Sequence, residues 1–160
     1  MLGSPVMLGR WDPPTSLANI VEHLWVVRWE LPDGEMLEQS TLPHPSLHWT
    51  IETGRSEIVG IVRGRFVRRL VGHGRVVAAK LRPAGFGAFT DQPLHVFTDR
   101  RVPAVRIFGE LASARSAQLD ALSDDAAAEW VAEALVAFEP TLDEKALFAQ
   151  QSSFSVATMA

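Results

Sequence analysis

The stretch "VVAAKLRPAGFGAF" (residues 76–89) divides the chain into two halves of different texture. Its first residues alternate in the manner of a half-buried strand. Pro83 then removes a backbone donor, so regular strand pairing is expected to stop there. Gly85 and Gly87 permit a tight turn or a close backbone contact. We interpret the stretch as a corner at which a sheet ends and a helical half begins, with Arg82 at the rim of a concave surface.

Upstream of this corner, the sequence predicts about six or seven short strands. "HLWVVRWEL" (23–31) is rich in aromatic and β-branched residues, which favours a strand. "PDGE" (32–35) contains an Asp-Gly pair typical of a hairpin, with "MLEQSTL" (36–42) as the return strand. "LHWTIET" (47–53) alternates apolar and polar residues. Short strands at regular spacing are typical of an antiparallel barrel or sandwich.

Downstream of the corner, apolar residues recur at helical spacing. Pro103 precedes a periodic stretch, Ser123 can cap a helix, and a stripe that includes Trp130 stops at Pro140. A length of 160 residues suits one domain with one core. We therefore expect a single α+β domain over residues 1–160, with a β-barrel over 14–90, a helical layer over 103–150 and a loose tail over 151–160.

Composition excludes several classes of protein. The sequence contains no cysteine, which excludes disulfides, thiol catalysis and thiolate metal sites. No apolar run approaches the ~20 residues of a membrane span, and the N-terminal stretch lacks the pattern of a signal peptide. A net charge of −4 argues against unspecific nucleic-acid binding by the chain as a whole. We expect a cytoplasmic protein that does not contact membranes.

Charge is unevenly distributed along the chain. Residues 55–82 contain eight basic residues and one acidic residue, whereas residues 110–145 contain nine acidic residues and two basic ones. The two regions can attract each other, within one chain or between two. The alternative is two solvated faces, because exposed ion pairs contribute little. The same two readings, a solvated face or a patch for the DNA backbone, apply to the basic run Arg63, Arg65, Arg68 and Arg69.

Aromatic side chains are the main candidates for a ligand site. Trp25 and Trp29 alternate onto one face of their strand together with His23. With Trp49 they can line a barrel that holds a flat or apolar small molecule, or they can simply fill the core. His48 faces either solvent or the mouth of the barrel.

Two further polar residues near the corner are candidates for the same site. Arg82 can bind an anion through a bidentate contact, or it can pair with Asp91 or Asp99 to fix the corner. His95 lies in the loop just past the corner, where it can line a pocket.

A metal site is an alternative for the same region. His44, His48 and Glu52 fall at i, i+4 and i+8, and would share a face if one strand ran through all three. Two histidines and a carboxylate can hold a first-row metal with open positions. Pro45 interrupts such a strand, and the remaining histidines are too scattered to form a catalytic set. We therefore expect no cofactor and no catalytic residues.

Several stretches, taken in order, resemble the N-terminal, effector-sensing domain of a branch of AraC/XylS-type transcription regulators. That branch has a strand ending in "FRPGGF" and a later "TDR..P...FG", which "LRPAGF" (81–86) and "TDRRVPAVRIFG" (98–109) resemble. The resemblance covers residues 14–112, and its earlier strands match "VEHLWVVRWELP", "LPHPSLHWTIE" and "VGIVRGRFVRRLVGHGRV". This chain departs from the pattern at Ala84, where a glycine is common, and at Lys80-Leu81 before the Arg-Pro.

The resemblance implies a cupin-like β-barrel followed by helices that are often used for dimerisation. Such regulators also carry a C-terminal domain with two helix-turn-helix units, which has no match in these residues, so no DNA-reading residue is assigned. The chain is then either a cut sensing domain or a naturally short relative. We expect a domain that senses an unknown small-molecule effector and forms a homodimer through its C-terminal helices. Two alternatives are a stand-alone metal-dependent cupin enzyme and an interaction module that dimerises with a full-length regulator.

Overall fold

The computed structural model describes residues 5–41, 46–109 and 116–137. The fold is α+β and mostly antiparallel, as expected, with eight strands in two sheets and short helices toward the C-terminal end. The larger sheet has six strands in the spatial order β1 (Val6–Trp11), β2 (Val21–Glu30), β7 (His73–Leu81), β4 (Leu47–Glu52), β5 (Arg55–Val59) and β8 (Arg101–Pro103). The smaller sheet is a two-stranded ribbon of β3 (Met36–Thr41) and β6 (Phe66–Val71).

Helices cover one face of the six-stranded sheet. Those with α-helical geometry are α1 (Pro83–Phe86), α2 (Val105–Phe108), α3 (Ser116–Leu119) and α4 (Asp124–Val136), and two 3-10 turns span Thr15–Leu17 and Leu94–Phe97. Ser123 caps α4 as predicted, since its Oγ accepts a hydrogen bond from the backbone N–H of Ala126 at 3.2 Å. None of the helices in these ranges is long and apolar enough to cross a membrane.

The main core lies between this helical layer and the sheet. Alternate residues of β2, β4 and β7 point toward α4, because successive side chains of a strand face opposite sides. They are almost fully buried and include Leu24, Val26, Leu47, Trp49, Ile51, Val77, Ala79 and Leu81. From the helix, Val131 and Leu135 enter the same cluster.

The other face of the sheet is covered by the ribbon at one end. Trp29 packs with Leu70 and Val76 in a second, smaller buried cluster. The indole N–H of Trp29 donates a hydrogen bond to the carbonyl of Val71 at 3.2 Å. Because the ribbon has only two strands, it closes this face incompletely and leaves a cavity beneath it.

The corner at Pro83 is built as its sequence indicated. After β7, the backbone N–H of Arg82 bonds the carbonyl of Ile20 at 2.7 Å, and α1 begins at Pro83. A Cβ atom on Gly85 would approach the Cα of Ile20 to 2.6 Å, so only glycine fits this contact. The predicted close backbone packing at Gly85 is therefore confirmed.

The predicted hairpin across residues 32–35 is wrong. The turn exists, and Gly34 adopts a φ of 79° within it, but β2 pairs with β1 and β7 while β3 pairs with β6. Leu31 instead donates its N–H to the carbonyl of Gly72 at 2.7 Å, at the point where the chain leaves the sheet for the ribbon. The turn residues set the local bend, whereas burial of the strand faces decides which strands pair.

Two strands that the sequence did not indicate raise the total to eight. β1 precedes the Pro13-Pro14 pair and forms one edge of the sheet, and β8 contributes only three residues at the other edge. The expected helical stretch after Pro103 is interrupted, since α2 ends at Gly109 with a φ of 74°. The expected stop at Pro140 and the tail lie outside the described residues.

Candidate functional site

A cavity of about 440 Å³ lies between the six-stranded sheet and the ribbon. It is open at one side and most of its wall is apolar. All eight strands contribute lining residues, and the remainder come from the residue before β4 and from the segment between β5 and β6. The lining consists of Leu8, Arg10, His23, Trp25, Val27, Trp29, Gln39, Ser46, His48, Thr50, Val59, Gly60, Val62, Phe66, Arg68, Leu70, Val76, Lys80 and Arg101.

The aromatic wall of the cavity comes from β2. Trp25, Val27 and Trp29 lie two residues apart and so face the same side, while Val26 between them points into the main core. Trp29 fits against the sheet because its strand partner is glycine, and a Cβ on Gly74 would meet the indole ring at 2.2 Å. The alternation of β2 therefore builds the predicted aromatic face, and that face lines the cavity.

A row of polar side chains crosses the floor of the cavity. His23 on β2 is the direct partner of Lys80 on β7, and Lys80 is in turn the partner of His48 on β4. The row continues through Val59 to Arg101 at the edge strand. Because directly paired residues of adjacent antiparallel strands point to the same side, His23, Lys80 and His48 follow one another on the cavity face, and Val59 separates them from Arg101.

Trp25 joins the aromatic wall to this row. Its indole N–H donates a hydrogen bond to Nδ1 of His48 at 3.1 Å, and the two rings meet edge to face at 5.8 Å. Because Nδ1 accepts this bond, the neutral His48 ring carries its proton on Nε2. This nitrogen is consequently a hydrogen-bond donor.

Lys80 is a buried cation with a compensating carboxylate. It is only 8% exposed, and its Nζ lies 3.0 Å from the carboxylate of Glu22. A buried charge is stable only when it is paired and hydrogen-bonded. The hydrogen bond from Lys80, which outweighs the opposing effect of burial, holds the pKa of Glu22 below its ordinary value.

Two arginines stack on aromatic rings of the cavity wall. The guanidinium of Arg68 lies 5.2 Å from the ring centre of Trp29, and that of Arg101 lies 5.2 Å from the ring centre of Phe66. Arg68 also pairs with Glu52. Burial raises the pKa of Glu52, but hydrogen bonds from Arg68 and Arg55 outweigh burial and leave that pKa lowered.

Three of the residues predicted for a ligand site line this cavity, namely Trp25, Trp29 and His48. Trp49 does not. It is fully buried on the opposite face of β4, where its indole N–H bonds Ser56 at 2.9 Å and its ring packs on Phe108 at 4.7 Å. The alternation of a strand separates it from His48, its neighbour in sequence. Of the two readings of Trp49, the structure supports core filling.

Arg82 and His95 also lie away from the cavity lining. The Nε of Arg82 donates to the carbonyl of Ala18 at 3.1 Å, which ties the corner to the segment before β2. His95 is exposed in the second 3-10 turn. Asp99, one of the expected partners of Arg82, instead pairs with Arg63 at 2.9 Å.

Two of the three residues predicted as alternative metal ligands lie within the described part of the chain. His44 lies outside the described residues, while His48 and Glu52 occupy the same face of β4. Glu52 is held by Arg55 at 3.1 Å as well as by Arg68. Within the described ranges, His, Asp and Glu side chains form no group of three that is arranged to hold a metal ion.

The cations of the cavity are the residues that sequence analysis missed. The sequence did contain an indication for Lys80, because this charged residue interrupts an apolar strand. Alternation places it on the face of β7 that points away from the core residues Val77, Ala79 and Leu81. Arg68 and Arg69 lie on opposite faces of β6, as strand alternation predicts: Arg68 lines the cavity and Arg69 pairs with Glu38 on the ribbon. The basic run therefore consists of individually partnered side chains.

A family model described as a domain of unknown function, DUF6597, matches residues 10–103. Comparison with curated proteins and with solved structures gives no significant match. The matched segment includes β1 in part, all the strands from β2 to β8 and every cavity-lining residue except Leu8. The chain therefore belongs to the DUF6597 family.

Proposed function

We propose that this chain is a small-molecule-sensing domain and that its ligand binds in the cavity between the sheet and the ribbon. The observation that carries the proposal is the cavity itself. Its volume of about 440 Å³ falls within the range of roughly 300–1,000 Å³ that is usual for ligand sites. A mostly apolar wall with a few convergent polar groups is also the usual composition of such sites.

The assignment to AraC-type transcription regulators is part of the same proposal. It is supported by the resemblance of residues 14–112 to the effector-sensing domains of those regulators. The family match covers nearly the same residues. In this proposal the C-terminal helices form a homodimer, and the effector changes how those helices pack.

The attachment of α4 to the sheet supports this coupling. Arg75 on β7 donates to the carbonyl of Leu122 at 2.7 Å and pairs with Asp124 at 3.2 Å. It also bonds the carbonyl of Leu119 at the end of α3. The start of α4 is thus held by a strand whose opposite face lines the cavity.

Two further strands hold the same helix end. Arg28 on β2 pairs with Asp124 at 2.5 Å, and the indole N–H of Trp11 on β1 bonds Asp125 at 2.7 Å. A ligand that binds one arrangement of these strands better than another would shift the equilibrium between the corresponding positions of α4. The size of the shift is set by the difference in affinity for the two arrangements. On β1, β2 and β7, the residue that contacts α4 is therefore the direct sequence neighbour of a residue that lines the cavity.

A thermal-shift screen with a diverse small-molecule library tests the proposal. Compounds that raise the melting temperature of the wild type should not stabilise Trp25→Leu, which removes the aromatic wall. The matched control is Trp11→Leu, because Trp11 is also half-buried but faces away from the cavity. Hits that stabilise Trp25→Leu as much as the wild type would place the site elsewhere.

A further inference from the structure

The charge of the cavity lining indicates the class of ligand. Its lining residues include four cations, Arg10, Arg68, Lys80 and Arg101, and no aspartate or glutamate. The carboxylates that pair with three of these cations are not themselves lining residues. Such a lining offers positive charge and hydrogen-bond donors to whatever occupies the cavity.

Three of the four lining cations pair with carboxylates in the described part of the chain. Glu22 pairs with Lys80, Glu52 with Arg68, and Glu57 with Arg101 at 3.3 Å. Arg55 also pairs with Glu52, and Arg10 forms no salt bridge with any residue in the described part of the chain. The lining itself presents four cationic side chains and no carboxylate, so it would attract an added anion.

Three polar residues of the lining lie side by side on neighbouring strands. Lys80 lies between His23 and His48 on the neighbouring strands, with all three side chains on the cavity face. His48 presents a protonated Nε2, because its Nδ1 accepts the bond from Trp25. An ammonium group beside imidazole N–H donors is an arrangement that suits a carboxylate.

The part of the cavity lined by β2 suits an apolar, flat group. Trp25 and Trp29 present their rings there, with Val27 between them and Leu70 across from them. Aromatic rings stack well on planar groups and bind them with large contact area. The polar row and the aromatic wall are adjacent, since Trp25 touches His48.

We propose that the cavity binds a monoanionic aromatic carboxylate, with its carboxylate at Lys80 and His48 and its ring against Trp25 and Trp29. This inference rests on the proposed sensing function and adds the chemical class of the ligand. A neutral ligand of the same shape binds more weakly, because it forms no charge-assisted hydrogen bond with Lys80.

Isothermal titration calorimetry with matched pairs of probes tests the inference. The probes are cinnamate and 2-naphthoate, each compared with its primary amide, at pH 7. The carboxylates should bind at least about tenfold more tightly than the amides, as expected when a charge-assisted contact is lost. Equal or tighter binding of the amides would overturn the carboxylate assignment and leave the sensing function standing. No binding of either kind at millimolar concentration would overturn the assignment to an aromatic ligand, and the thermal-shift screen tests the sensing function separately.

Variants separate the roles of the cations. Lys80→Met should reduce the affinity for each carboxylate to about that for its amide, because the methionine removes the charged donor. Arg10→Met provides a second test at an exposed position, with a smaller loss of the same kind. The matched control is Arg69→Met, whose arginine pairs with Glu38 outside the cavity. A carboxylate preference that survives in both Lys80→Met and Arg10→Met would overturn the inference.

Discussion

The two faces of the six-stranded sheet are built from alternate residues of the same strands, yet they are closed in different ways. On the helix side, Leu47, Trp49 and Leu81 are completely buried. On the ribbon side, the intervening residues His48 and Lys80 face a cavity. The alternation of residues along each strand therefore supplies both the core, on the helix side, and the candidate site, on the ribbon side. The site forms on the ribbon side because the ribbon covers only part of that face.

The largest difference between the faces should appear in stability. Trp49→Ala removes a fully buried ring and leaves a large void, so we expect a loss of roughly 3–5 kcal/mol in the free energy of unfolding. Trp25→Ala, which removes the same side chain from the cavity wall, should cost only about 1–2 kcal/mol because the cavity already exists. Urea denaturation measures both variants. Equal losses would contradict the distinction between a closed face and an open one.

The attachment of α4 should give the next largest effect. Arg75 is only 15% exposed and bonds two carbonyls as well as Asp124. Arg75→Met leaves these acceptors without their donor, and we expect it to lower the free energy of unfolding by about 2 kcal/mol.

Limited proteolysis should show earlier cleavage near α4 in the same Arg75→Met variant. Arg69→Met, an exposed arginine on the ribbon, serves as the control and should change stability by less than about 0.5 kcal/mol. If Arg75→Met behaves like this control, the sheet does not hold the helix through Arg75.

Acid should weaken the cavity face through its paired carboxylates. The pKa values of Glu22 and Glu52 are both lowered from the ordinary value of 4.5. Each carboxylate therefore binds its proton less tightly in the folded state than in the unfolded state. The stability they contribute is present above about pH 4.5 and is lost as the pH falls through the lowered values.

Urea midpoints between pH 7 and pH 3 measure this dependence. Glu52→Gln should be less stable than the wild type at pH 7, and the gap should narrow as the pH falls. Glu38→Gln, an exposed carboxylate on the ribbon, is the control and should lose stability in parallel with the wild type. A constant gap between Glu52→Gln and the wild type would contradict the role of Glu52 as a charged partner.

The smallest effect concerns the tautomer of His48. Trp25→Phe keeps a ring in the wall but removes the bond to Nδ1, at a cost of about 1 kcal/mol. Long-range ¹H–¹⁵N spectra of the imidazole should show a single Nε2–H tautomer in the wild type and a mixture in the variant. Identical spectra would mean that Trp25 does not fix the ring.

Local pattern was sufficient to predict much of the fold. Alternation identified the strand of Trp25 and Trp29, the strand of His48 and the corner at Pro83, because these features depend on neighbours in sequence. Pairing depends on distant residues, so the Asp33-Gly34 turn suggested the wrong partner for β3. Strands as short as β8 carry too little pattern to recognise.

The candidate site was predicted in part for the same reason. The aromatic wall follows from the alternation of side chains within β2. The polar row depends on how five strands align with one another, and the sequence of a single strand does not contain that information. Trp49 shows the converse error. Its residue type suited a ligand box, but only the position of α4 reveals which face of β4 is closed.

The indole N–H signals of the five tryptophans give the most direct test that the cavity face is the ligand-binding face. A titration with cinnamate, followed in ¹H–¹⁵N spectra, compares both faces in one sample. We predict that the signals of Trp25 and Trp29 shift with a saturable dependence on cinnamate, while the signal of Trp49 stays in place. Shifts confined to Trp49 and Trp130, or the same small shift at all five rings, would contradict the account.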